Sequence, residues 1–127
     1  MVKKTELRIG YVFKKKGQFV SLTAQDIINL LSLPGKYVPI APIPLTPDRL
    51  RKIGFKQRGE WLDLFRFTNK GYVSLRYRVQ VIDGVEQFVE GSGLEGIAEL
   101  PDYIHQIQEL CYAMLGKDLP FDRSQLK

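Results

Sequence analysis

His105 and Cys111 are the only histidine and the only cysteine of the chain, and both fall in the stretch PDYIHQIQELCYAMLGKDL, residues 101–119. A cysteine nucleophile acts as its thiolate and needs a base within hydrogen-bond reach, so an imidazole near a thiol is the first chemistry to test. The spacing argues against it. Read as a helix at about 100° per residue, the stretch gathers Ile104, Ile107, Leu110, Cys111, Met114 and Leu115 into one apolar stripe, with Tyr103 at its margin. Cys111 lies near the middle of that stripe and reads as a small buried apolar residue. His105 is turned about 120° away, toward the side of Glu109 and Tyr112. No catalytic pair is expected, and one nitrogen with one sulfur is too small a set for a metal. His105 reads instead as a satisfied structural histidine, bonded to Glu109 or across to a sheet.

Other constellations carry less. Gly91 and Gly93 in VEGSGLEG have the look of a phosphate loop, but no Lys-Ser or Lys-Thr follows and Glu90 and Glu95 would repel phosphate, so a flexible turn is expected. Glu86, Glu90, Glu95 and Glu99 could pair for acid–base or divalent-cation chemistry, yet a spaced acidic series without a further motif reads as a solvated face. No catalytic residue, metal or cofactor is expected. The most suggestive binding feature is the strand face of Tyr72, Arg76 and Arg78, taken with nearby Trp61 and Arg66. Rings stack on bases and guanidinium groups hold phosphates, which is what a single-stranded nucleic-acid platform needs. The competing expectation is that these arginines pair with glutamates of the adjoining strand.

The elements that would position these residues follow from local pattern. In ELRIGYVFKKKGQFVSL, Leu7, Ile9, Tyr11 and Phe13 alternate with mostly polar neighbours until Lys14, Lys15, Lys16 and Gly17 interrupt, and Phe19, Val20 and Leu22 resume. That is a β-hairpin with a basic tip, which also discourages edge pairing. Thr23 is a good N-cap for AQDIINLLSL, with Asp26 near the positive end of the dipole and Ile27, Ile28, Leu30 and Leu31 facing inward until Pro34 and Gly35; a continued strand is the alternative. In IAPIPLTPDRLRKIGF, Thr46 caps, Pro47 takes the first helical position, Leu45 and Leu50 are spaced as a staple, and Gly54 fits the left-handed stop with Phe55 folding back on Leu50. Strands follow in WLDLFRFT and YVSLRYRVQV, joined by a turn at Asn69, Lys70 and Gly71, and a tight Asp83-Gly84 turn leads into VEQFVEG. SGLEG reads as a loop and IAEL as a short strand or the approach to the last helix. The end, DLPFDRSQLK, is expected to dock through Phe121 and then fray.

At 127 residues the chain has the size and composition of one soluble domain. One cysteine excludes an internal disulfide, the start MVKKTELRIG has no apolar leader, and the run YVPIAPIPL is too short and proline-rich to span a bilayer, so a cytoplasmic protein with no membrane partner is expected. The formal charge of +5 is unevenly distributed: residues 1–78 carry +11, and residues 79–116 carry −7 without a single Lys or Arg. A polyanion could use the basic part, or the fold could bring the two segments together and cancel most of the field.

Three pieces, ELRIG, PIPLTPDRLRKIGF and YIHQIQEL with LGKDL, resemble a group of small uncharacterised proteins from Bacteroidetes genomes and their phages or mobile elements. In that group an asparagine usually follows ELRIG, where this chain has Tyr11. The resemblance implies no reaction, cofactor or catalytic residue, but it implies a shared helix design around His105 and Gln106, with His105 and Gln108 as contacts. The whole reads as an α+β fold in a single domain, residues 1–127. An N-terminal small-barrel-like β unit (about 5–45) precedes a short capped helix, an antiparallel β meander and a C-terminal amphipathic helix (about 46–116), then a polar tail (117–127). The expected function is a non-enzymatic interaction module that binds a protein partner or itself as a homo-oligomer through a charge-asymmetric surface. The alternative is a nucleic-acid-binding accessory protein using Lys14, Lys15, Lys16, Arg76 and Arg78.

Overall fold

The computed structural model describes residues 2–93, 100–117 and 126. Its elements are antiparallel strands and three α-helices, an α+β fold. β1 (Val2–Lys3) pairs with β4 (Tyr37–Val38), and β2 (Val12–Lys15) with β3 (Gln18–Ser21). α1 (Ala24–Leu31) and α2 (Pro47–Lys52) precede a four-stranded meander of β5 (Lys56–Arg58), β6 (Trp61–Thr68), β7 (Gly71–Ile82) and β8 (Val85–Gly93) in chain order. α3 (Ile104–Leu115) closes the described fold.

Where the backbone is governed by neighbouring residues, chemistry and structure agree. The Thr46 hydroxyl accepts from Arg49 N–H at 3.1 Å and Pro47 sits in the first turn of α2; the helix stops at Gly54 (φ 113°), and Phe55 N–H returns to the Leu50 carbonyl at 3.0 Å. The β2–β3 and β7–β8 hairpins turn on Lys16-Gly17 and Asp83-Gly84, all four with positive φ, the geometry that matches strand twist in two-residue hairpins. Thr23 and Asp26 bond each other's backbone N–H groups at the start of α1.

Several expectations need correction. The N-terminal unit is no barrel: its strands form two separate two-stranded ribbons, because the chain leaves β3 into α1 rather than into a third strand. Only Leu30 of α1 is buried, while Ile28 and Leu31 face outward, since the helix leans on the unit along a single narrow strip. Gly91 and Gly93 lie within β8, opposite Tyr77 and Leu75, and not in the flexible turn expected there. Of the acidic series, Glu95 and Glu99 fall outside the described residues, as does most of IAEL. The end of the chain does not simply fray: Leu126 is buried in the core and its carbonyl accepts from Arg49 Nε at 3.2 Å, whereas Phe121 lies outside the described residues.

Two cores share one wall. Leu62, Leu64, Val73, Leu75, Tyr77 and Val79 line the inner sheet face against α2 and against Ile104, Ile107, Cys111 and Leu115 of α3. Val2, Tyr11, Phe13, Leu22, Leu30, Val38 and Ile40 form the second core. β2 divides them, Val12 pointing into the first and Phe13 into the second. On the edge of β2 away from β3, Lys14 pairs with Ala41 in a single bridge, but no described strand lies beside Val12. Gln108 of α3 takes that place: its Oε1 accepts from Val12 N–H at 2.9 Å, and its amide nitrogen donates to the Gly10 carbonyl at 3.0 Å. Buried backbone groups left without partners are costly.

Gln108→Leu is therefore expected to destabilise the protein by about 2–4 kcal/mol, because a donor and an acceptor lose their partners together. Urea unfolding at neutral pH checks this; a loss below about 1 kcal/mol would mean that water replaces the amide.

Candidate functional site

Two regions collect the chemistry-bearing residues, one inside the fold and one on its surface. The inner one is the second face of α3. His105, Gln108 and Tyr112 recur at helical spacing and meet the segment from Glu6 to Val12: His105 at Glu6, Gln108 at Gly10 and Val12, and Tyr112 at Arg8. His105, only 1% exposed, sits with its ring 4.6 Å from that of Phe13, and its Nε2 lies 3.1 Å from Glu6 Oε1. Its partner is thus neither Glu109 nor the sheet but a carboxylate 99 residues away. Glu6 is held from its other oxygen by Lys3 N–H at 2.7 Å. The Arg8 guanidinium lies 3.2 Å over the Tyr112 ring.

His105 and Cys111 therefore serve different cores. The thiol is fully buried in the sheet core, where burial pushes it up to about 11 and leaves it protonated. Burial lowers the histidine below its ordinary 6.5, against the opposing pull of Glu6 and, more weakly, of Glu109. The neutral ring donates Nε2–H to Glu6, and Nδ1 is buried without a protein partner, so a second proton would have no acceptor. Among the described residues no three His, Cys, Asp or Glu side chains converge as metal ligands would.

The surface region is the outer face of the meander, which no described helix covers. Strand parity assigns its residues: Lys56 and Arg58 from β5, Trp61, Asp63, Phe65 and Phe67 from β6, Tyr72, Ser74, Arg76 and Arg78 from β7, and Glu90 from β8. Trp61, Tyr72, Arg76 and Arg78 are thus brought together as the sequence suggested. Arg66 is not. It follows Leu62 and Leu64 onto the inner face, where its guanidinium reaches Gly54 at the end of α2. Lys14, Lys15 and Lys16 are also elsewhere, at the tip of a hairpin that packs on α3, on the other side of the sheet.

On this face the arginines hold carboxylates. Arg76 Nε bonds Asp63 at 3.0 Å while its guanidinium lies 4.5 Å from the Trp61 ring centre; Arg78 bridges Glu60 at 2.8 Å and Glu90 at 3.2 Å. Arg58 lies 3.5 Å from Asp63. The hydrogen bond and charge of Arg78 hold Glu60 below its usual range. Beyond the ion pairs lies an aromatic cluster that the sequence pattern left unremarked: Phe65, Phe67 and Tyr72, with ring centres 6.0 Å apart from Phe65 to each of the others, are 55%, 74% and 49% exposed. Elsewhere Arg51 holds Glu86 in a two-point bond at 2.8 and 2.6 Å, so the acidic and basic segments do meet. No helix among the described residues is long and apolar enough to cross a membrane.

The inner cluster makes a pH prediction. Glu6 is pushed up by burial, but its bonds from Lys3 N–H and His105 outweigh this and hold it below its usual value. Both His105 and Glu6 thus bind protons less readily folded than unfolded, so their contribution is complete above about pH 6.5 and is lost as the pH falls. The urea midpoint is expected to drop from about pH 7.5 to about pH 5, with a limiting slope of about 1.4 kcal/mol per pH unit for the histidine. His105→Gln should flatten that drop, and an unchanged profile would show that the ring is free to protonate in place.

No family model, curated protein or solved structure matches the chain.

Proposed function

We propose that the chain is a non-enzymatic, cytoplasmic interaction module that binds protein, either a partner or a second copy, through the outer face of its meander. The observation that carries this is the exposed cluster of Phe65, Phe67 and Tyr72 beside arginines that already hold carboxylates. An exposed aromatic patch flanked by already satisfied charges is a surface of the kind protein interfaces use. Three exposed aromatic rings in one patch are also costly to leave in water.

Nucleic-acid binding draws less support. A platform for single strands needs guanidinium groups free for phosphates, whereas Arg76 and Arg78 are spanned by Asp63, Glu60 and Glu90. Lys14, Lys15 and Lys16 lie across the molecule from them and cannot share one strand's backbone with this face. The resemblance to small proteins of Bacteroidetes and their phages or mobile elements is compatible with an accessory role of either kind.

Two measurements separate the readings. Fluorescence anisotropy of labelled single-stranded and duplex oligonucleotides should stay flat at low salt, and protein captured on the immobilised chain, second copies included, should be lost with Phe65→Ser/Phe67→Ser. Both side chains are exposed, so the unfolding midpoint of the double variant should stay close to that of the unmodified chain. Salt-sensitive oligonucleotide binding that disappears in Arg76→Glu/Arg78→Glu, with the phenylalanine variant unaffected, would overturn the protein-binding reading.

A further inference from the structure

The outer face has an order of charge that bears on which protein it fits. Across the strands from β5 to β8, one row reads Lys56, Asp63, Arg76 and the uncharged position of Ser92; the next reads Arg58, Trp61, Arg78, Glu90. Toward the far end of β6 the rows become Phe65 with Ser74 and Phe67 with Tyr72. Basic groups therefore occupy β5 and β7, while the acidic ones occupy β6 and β8.

A pattern of this kind is self-complementary under one operation. A two-fold axis along the strands, placed between β6 and β7, lays β6 over β7 of a second copy and β5 over its β8. In the first row Asp63 then faces Arg76 of the second copy, and Lys56 faces an uncharged position. In the second row Arg58 faces Glu90, and Trp61 faces the Arg78 guanidinium, a cation–π pair. Phe65 meets Ser74, and Phe67 meets Tyr72 in an aromatic contact. No like charges are opposed in any row. Shifting the axis by one strand, to between β5 and β6, sets Lys56 over Asp63 but carries β7 and β8 beyond the edge of the second sheet, so that Phe67 no longer meets Tyr72 and Arg58 no longer meets Glu90.

We propose that the occupant of the outer face is a second copy of this chain, packed face to face about a two-fold axis running along the strands between β6 and β7. The inference rests on the reading of that face as a protein-binding surface and names its partner. At about 3.3 Å per residue along β6 and about 4.8 Å between strands, the face offers a footprint of roughly 500 Å² per copy. Two such faces bury about 1,000 Å², the lower end of what specific association needs, so the dimer exchanges readily with monomer. Aligned sheets pack with their strands about 30° apart, which tilts the axis slightly without changing which strands face each other.

The test is sedimentation equilibrium of the purified chain from micromolar to millimolar concentrations. A monomer–dimer equilibrium is expected, with Phe67→Ser weakening it by about tenfold or more because an anchoring ring is lost from each copy. Arg58→Glu and Glu90→Arg, at positions whose side chains are 74% and 52% exposed, should each weaken self-association by setting like charges opposite one another. An equimolar mixture of these two variants should recover dimers, since every cross-copy pair is then of opposite sign. A chain that stays monomeric throughout overturns the second copy as occupant and leaves the face for a different protein. A dimer that is indifferent to Phe67→Ser overturns the outer face itself as the binding surface. Dimers weakened by Phe67→Ser but not recovered by mixing refute the proposed axis.

Discussion

The side-chain amide of Gln108 is the contact on which the arrangement of this protein depends. A backbone edge buried against a helix has polar groups that the helix backbone, already internally bonded, cannot satisfy. Gln108 meets that edge with a donor and an acceptor in one planar group, as a neighbouring strand would at a single residue. Around it, His105 and Tyr112 extend the match along the helix through Glu6 and Arg8. One helix thereby joins two hydrophobic cores, its apolar stripe turned to the sheet and its polar stripe turned to the N-terminal ribbons.

With α2 and α3 both spent on the inner face, the described fold has no helix left for the outer one. An antiparallel sheet tolerates this when its outer residues are polar, and much of this face follows that rule. The ion pairs of Arg76 and Arg78 are exposed and add little to stability, as surface pairs generally do. Their consequence is geometric: they fix the guanidinium groups in place and leave the sign of charge alternating from strand to strand. The aromatic cluster at the other end breaks the polar rule, and that departure gives the face a direction.

Local elements were legible in the sequence, and most of the contacts between them were not. The caps of α2, the alternation along β7 and the Asp83-Gly84 turn depend on residues a few positions apart, and each appeared as expected. β5 was missed because Lys56, Gln57 and Arg58 carry no apolar residue, and its place is set by register with β6 alone. Arg66 was grouped with Arg76 by residue type, although its even position beside Leu62 and Leu64 already put it on the inner face. The partners of His105 and Gln108 lie nearly a hundred residues upstream, and nothing in either segment names the other. The polar stripe itself was visible as a repeat of His105, Gln108 and Tyr112, and a buried polar stripe on a helix is the one signal that could have pointed to a second packing surface.

The separation between Gln108 and β2 also governs the order in which the molecule can be assembled. The β2–β3 hairpin and α1 need only neighbouring sequence to form, yet the inner edge at Val12 acquires its partner from a helix made 96 residues later. As the chain emerges from the ribosome, the N-terminal ribbons wait with that edge open while the whole meander is translated and paired. Docking of α3 is thus the event that completes both halves at once, and the nascent chain is most exposed to wrong pairing in the interval before residue 108 becomes available.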